Sequence, residues 1–147
     1  MMTFHGRPKA LVIGMIVGMG LLLAGCTTGE AETSNDLLGS SWLAEDIEGQ
    51  GVMDILQTTI GFADDDRIAG SGGCNNYFGL AVIEGSKISM GPLGSTQKAC
   101  PPAIMDQEQR FFGALQKVHS YETRDGLLFF YDKNSEPILR FSRLDPN

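Results

Sequence analysis

The chain has 147 residues, 18 of them acidic and 11 basic, for a net charge of −7. That length fits one domain, and 42% hydrophobic residues are enough to give it a core of its own. An acidic chain is a poor partner for nucleic acid, which is held by Lys and Arg neutralising phosphates.

At the N-terminus, Arg7 and Lys9 make a basic start, and Ala10 to Leu23 form an apolar run of 14 residues. The run is too short to cross a hydrocarbon core of about 30 Å as a helix, and it has the length of a signal-peptide core. It ends in Leu23-Ala24-Gly25-Cys26, which resembles the lipobox of bacterial lipoproteins. The resemblance implies cleavage before Cys26 and acylation of its thiol and new amino group. An ordinary signal peptide with a chance cysteine is the alternative. Cleavage there leaves 122 residues, with 9 basic and 18 acidic. Such a surface gains nothing from anionic lipid, so attachment would rest on the acyl chains, which anchor stably when there are two or more. By the sorting pattern of lipoproteins, Thr27 in place of Asp points to the outer membrane of a diderm cell, at its periplasmic face. In a monoderm the anchor enters the outer leaflet of the plasma membrane.

Residues 1–25 therefore read as a lipoprotein signal peptide and 26–36 as the lipidated cysteine with a tether. Thr27 to Asp36 is polar, without apolar periodicity, as a flexible segment should be. Residues 37–144 read as the folded domain.

Within that domain the chain breaks into short β-like runs separated by turn residues. Ser41 to Ile47 carries the single tryptophan, Trp42. Thr58 to Ala63 alternates, with Ile60 and Phe62 on one face. Asp64-Asp65-Asp66 turns the chain into Arg67 to Gly72. Tyr77 to Ile83 and Lys87 to Met90 flank the loop Glu84-Gly85-Ser86. Tyr121 to Arg124 and Leu127 to Tyr131 flank Asp125-Gly126, a two-residue hairpin signal. Pro137 to Leu144 supplies the last strand. Strands this short predict an antiparallel sandwich or small barrel.

One segment has helical spacing. After Pro101-Pro102, the residues Ile104, Met105, Phe111, Phe112, Leu115 and Val118 recur as an apolar stripe, which predicts an amphipathic helix over 103–118 against the sheet. Glu108 falls on that stripe. We read it as a carboxylate near the helix N-terminus, favoured by the macrodipole, since burying an unpaired carboxylate is costly. The sharper alternative is a partly buried acceptor that fixes the helix on the barrel.

Two further cysteines, Cys74 and Cys100, make an even pair, which in an exported domain reads first as a disulfide. A metal site would have only His119 to add in the processed chain, a poor set for zinc. Cys74 lies in Gly70-Ser71-Gly72-Gly73-Cys74-Asn75-Asn76-Tyr77-Phe78-Gly79, whose glycines and asparagines suit a bulged turn between strands. Cys100 closes Thr96-Gln97-Lys98-Ala99-Cys100, just before the helix.

Together these residues resemble the META domain, found in HslJ-type heat-shock lipoproteins. The matching elements are a tryptophan strand (Trp42), a turn containing Gly73, Cys74, Asn75, Tyr77 and Gly79, and a later Thr96, Ala99 and Cys100. Leu43 follows Trp42 directly, where the family more commonly has Trp-x-Leu. The resemblance covers about Leu37 to Leu144. It implies a mainly β, small antiparallel calycin-like barrel with one helix packed against it, no established catalytic activity, and a link to envelope stress.

The residues themselves offer no catalytic constellation. A cysteine nucleophile needs a base within reach, and nothing local pairs His119 with Cys74. Lys98 beside Cys100 is the best argument for thiol chemistry, but the spacing is not that of a Cys-x-x-Cys redox motif. Asp64-Asp65-Asp66 lacks the ligand spacing of a calcium loop and reads as a solvated turn. Phe111, Phe112, Phe129, Phe130, Tyr131 and Phe141 read as core rather than as the lining of a ligand cavity. The expectation is a non-catalytic lipid-anchored envelope protein, without cofactor or metal, that binds another envelope component. A barrel for a small apolar ligand is the alternative, and a thiol enzyme built on Cys74 or Cys100 the third reading.

Overall fold

A computed structural model describes residues 37–144. The signal segment, Cys26 and the tether expected over 26–36 lie outside the described residues.

The elements follow in order as β1 (Ser41–Ile47), β2 (Gln50–Gly51), β3 (Thr59–Phe62), β4 (Arg67–Ser71), β5 (Asn76–Glu84), β6 (Lys87–Met90), β7 (Gly94–Ser95), α1 (Pro102–Leu115), β8 (Ser120–Arg124), β9 (Leu127–Tyr131) and β10 (Pro137–Arg143). Each strand expected from the sequence is present within a residue or two of its reading. The short β2 and β7 are additional, since two residues carry no readable alternation. A signal for β2 did exist: Glu48-Gly49 forms a two-residue turn between β1 and β2, with Gly49 N–H donating to Asp46 Oδ1 at 2.8 Å.

The pairings are antiparallel and the sheet is ten-stranded. β10 pairs with β9 on one side and with β1 on the other, so the path β1-β10-β9-β8-β6-β5-β4-β3 returns to β1 as a ring. A closed ring removes the exposed edges that a short-stranded open sheet would leave.

The ring encloses the core. Trp42, Tyr77, Phe111, Phe130 and Phe141 are its largest fully buried side chains. Phe111 makes edge contacts with Tyr77 on β5 (5.8 Å) and with Phe141 on β10 (6.3 Å). Those strands are not neighbours in the ring, so the helix side chain lies in the space they enclose. Two of the six aromatics expected in the core are elsewhere. Phe129 and Tyr131 take the outward positions of β9, because side chains alternate along a strand. Phe129 lies under the Arg124 guanidinium, and Tyr131 O–H donates to Glu122 at 3.0 Å.

α1 starts at Pro102, where the missing N–H is not needed. It ends at Leu115 rather than running to Val118. The Lys117 and Val118 amides bond three residues back, to Ala114 and Leu115, and so tighten the last turn. Val118 is thereby turned into the core.

Candidate functional site

The Gly-Cys-Asn segment is the turn from β4 to β5, over residues 72–75. Gly73 takes φ +116°, open to glycine but strained for other residues. The turn is held from two directions. Cys74 is bonded to Cys100 as a disulfide, with Cα atoms 6.0 Å apart. The bond ties the turn to the segment before α1 and takes both sulfurs out of contention for a metal.

The second hold is Glu108, which is buried. Its Oε2 accepts from the backbone N–H of Cys74 at 3.0 Å and of Asn75 at 2.5 Å, and its Oε1 accepts from Asn75 Nδ2 at 2.7 Å. The sharper sequence alternative is thus the observed one. The macrodipole reading fails for a positional reason: Glu108 lies beyond the first helical turn, where that effect has faded. The burial cost is offset because the carboxylate is fully engaged with donors.

Asn75 completes the cluster. Its Oδ1 accepts from Thr96 Oγ1 at 2.9 Å and from Lys98 N–H at 2.7 Å, while Nδ2 also donates to Lys98 O at 3.3 Å. Both donors and both acceptor sites of the amide are in use. Thr96 Oγ1 in turn accepts from Asn76 N–H at 3.2 Å. One amide side chain therefore binds the turn, the helix and the Thr96–Lys98 segment to each other.

Close approach of helix and turn requires Gly72. A Cβ there would stand 2.7 Å from Cγ and Oε2 of Glu108 and 2.8 Å from Cζ of Phe112. A smaller contact set lies beside this one. Gln107 Nε2 donates to Thr58 Oγ1 at 3.2 Å, and Gln107 Oε1 accepts from Met53 N–H at 2.9 Å. Tyr77 O–H donates to Thr59 O at 2.9 Å, and burial pushes its phenol well above the ordinary value.

The motif residues divide accordingly. The structure brings together Gly73, Cys74, Asn75, Thr96 and Cys100, with Tyr77 on β5, two residues from Asn75 and buried in the core. It leaves three others apart. Trp42 belongs to the core, its indole N–H donating to Ser40 Oγ at 2.6 Å. Gly79 lies along β5 against Leu93, and Ala99 is exposed. Sequence reading overlooked Gln107, Thr58 and the role of Gly72. Gln107 had a signal, since it adjoins Glu108 at the edge of the apolar stripe.

Two concavities flank this architecture. A cleft of about 710 Å³ opens beside Asn75, Thr96, Lys98, Met105, Gln109 and Phe112. A second, of about 820 Å³, lies along β3, β4 and β5 and includes Phe78 and Leu80. Asp64-Asp65-Asp66 forms the turn between β3 and β4, where Asp65 pairs with Arg67 at 2.7 Å. That hydrogen bond holds the Asp65 carboxyl below the usual range.

A family model described as META domain matches residues 35–145. Among solved structures, the chain is similar to an NMR structure of a protein from Burkholderia xenovorans. The identity is 21%, the match covers 76% of this chain and 86% of that one, and the TM-score is 0.62. It is also similar to the crystal structure of a DUF4847 family protein from Bacteroides vulgatus, at 13% identity, 76% and 96% coverage and TM-score 0.55. At these identities the likeness is one of fold. No curated protein matches the chain.

Proposed function

The chain belongs to the META domain family, and from that premise we propose that it is a non-catalytic, lipid-anchored protein of the cell envelope that acts by binding another envelope component, in a role tied to envelope stress. The observation that carries this reading is how the family motif is used. Cys74, Asn75, Thr96, Cys100 and Glu108 bond to one another, so the motif builds a rigid junction rather than a reactive group. The disulfide fits an oxidising compartment, and the lipobox-like Leu23 to Cys26 fits an anchor there. Thr27 favours the outer membrane in a diderm cell.

Mass spectrometry of the full protein, released by mild detergent from its own membrane, tests the proposal. The expected species begins at a lipidated Cys26 and is two hydrogens lighter than the reduced chain. An unacylated N-terminus overturns the anchor, and free Cys74 and Cys100 reopen a thiol enzyme. A second reading, a module for a small apolar ligand, is favoured by the concavity along β3 to β5. A small molecule that stays bound through purification would put it first.

A further inference from the structure

Outward positions on a solvated strand are ordinarily polar, yet β5 presents Phe78, Leu80 and Val82 at 66%, 56% and 56% exposure. Register explains the shape around them. Ser41 pairs with Gly61, Gly61 with Ala69, and Ala69 with Phe78, so small residues of β1, β3 and β4 form one outward row ending at an aromatic ring. Phe78 pairs on its other side with Gly94, over which its ring leans. The row of small side chains is thereby left open as an apolar trough with Phe78 and Leu80 as its wall.

Two observations say what covers it. The trough is rimmed by Gly39, Ser40 and Ser41, where the described domain begins. Eleven chain steps separate Leu37 from Cys26, which reach at most about 40 Å when fully extended. The chain has many more acidic than basic residues, yet among the described residues Arg67 is the single charged one lining this trough. Arg67 is itself paired with Asp65 at 2.7 Å, so no residue lining the trough brings an unpaired charge against lipid.

We propose that the Phe78-Leu80-Val82 face rests on the lipid bilayer that holds the anchor, seating the domain with β5 toward the membrane. The inference rests on the lipid-anchored reading above. It makes the anchor and the trough one attachment, with the cleft beside Asn75 and Lys98 left for a partner.

The test places the full lipidated chain on phosphatidylcholine vesicles containing brominated lipid and compares Phe78→Trp with Phe129→Trp, which sits outward on β9 beyond β6 and β8 in the ring. Trp42 is buried in both and sets a common baseline. Quenching at position 78 is expected to be at least twofold stronger than at 129, and Leu80→Asp in the Phe78→Trp chain should remove the excess. Equal quenching on bound protein overturns the proposal while leaving the anchor standing. Failure of the vesicles to capture the protein overturns the anchor itself. In the Phe78→Trp chain carrying Cys26→Ser, which lacks the acylated cysteine that would itself drive association, an emission shift that grows with protein concentration assigns the face to a second copy of the chain instead. Unchanged thermal unfolding of the variants shows that each readout reports on a folded domain.

Discussion

Glu108 grips Asn75 with both carboxylate oxygens, one on the backbone N–H at 2.5 Å and one on the side-chain amide at 2.7 Å. The two residues are 33 positions apart, and the contact locks the helix to the β4–β5 turn.

Glu108→Ala leaves the buried amides of Cys74 and Asn75 without their acceptor. We expect a loss of about 3 kcal/mol in chemical denaturation. Glu108→Gln should lose less, about 1–2 kcal/mol, because an amide keeps one acceptor but faces Asn75 Nδ2 with a second donor. Asp106→Ala, exposed on the same helix, should stay within about 0.5 kcal/mol of wild type.

Gly72→Ala pushes a methyl group into Glu108 and Phe112. A cost of about 2 kcal/mol is expected, typical of overpacking. In the Glu108→Ala background the same change should cost clearly less, because one of the two clashes is gone. A double-mutant cycle measures the coupling; strict additivity would contradict the contact.

Cys74→Ser and Cys100→Ser each open the same loop, whose ends are 26 positions apart. The chain-entropy model gives a loss of about 3.5 kcal/mol for either change. The double variant should match the singles rather than sum them, and reductant should lower wild type to the same level. One single variant as stable as oxidised wild type would show that the bond contributes nothing.

Tyr77 supplies a pH signature. Its phenol is held above the ordinary value of 10.0 by burial, so the folded state keeps that proton more tightly than the unfolded chain. The resulting stabilisation is complete below pH 10 and is lost as pH rises above it, because unfolding releases the proton. Ultraviolet titration of the native protein should therefore leave the Tyr77 phenol un-ionised just above pH 10, its absorbance change recovered on unfolding. Tyr77→Phe should flatten the alkaline loss of stability, at a cost of about 1 kcal/mol at neutral pH for the bond to Thr59.

What the sequence determined alone was local. Alternation located β3 and β10, Asp125-Gly126 set the β8–β9 hairpin, and an apolar stripe after two prolines announced α1. Each of these signals rests on residues a few positions apart. The cysteine pair reached further only because two cysteines beyond Cys26 leave a single pairing to choose. Tertiary structure decided the rest. Glu108 could be buried only because three donors from a distant turn converge on it, and spacing along a helix contains no record of such partners. The outward trough is of the same kind, since Ser41, Gly61, Ala69 and Phe78 share a face only through the register of four strands. Local pattern specifies which backbone a segment adopts; burial of charge and the shape of a surface depend on what other segments bring to meet it.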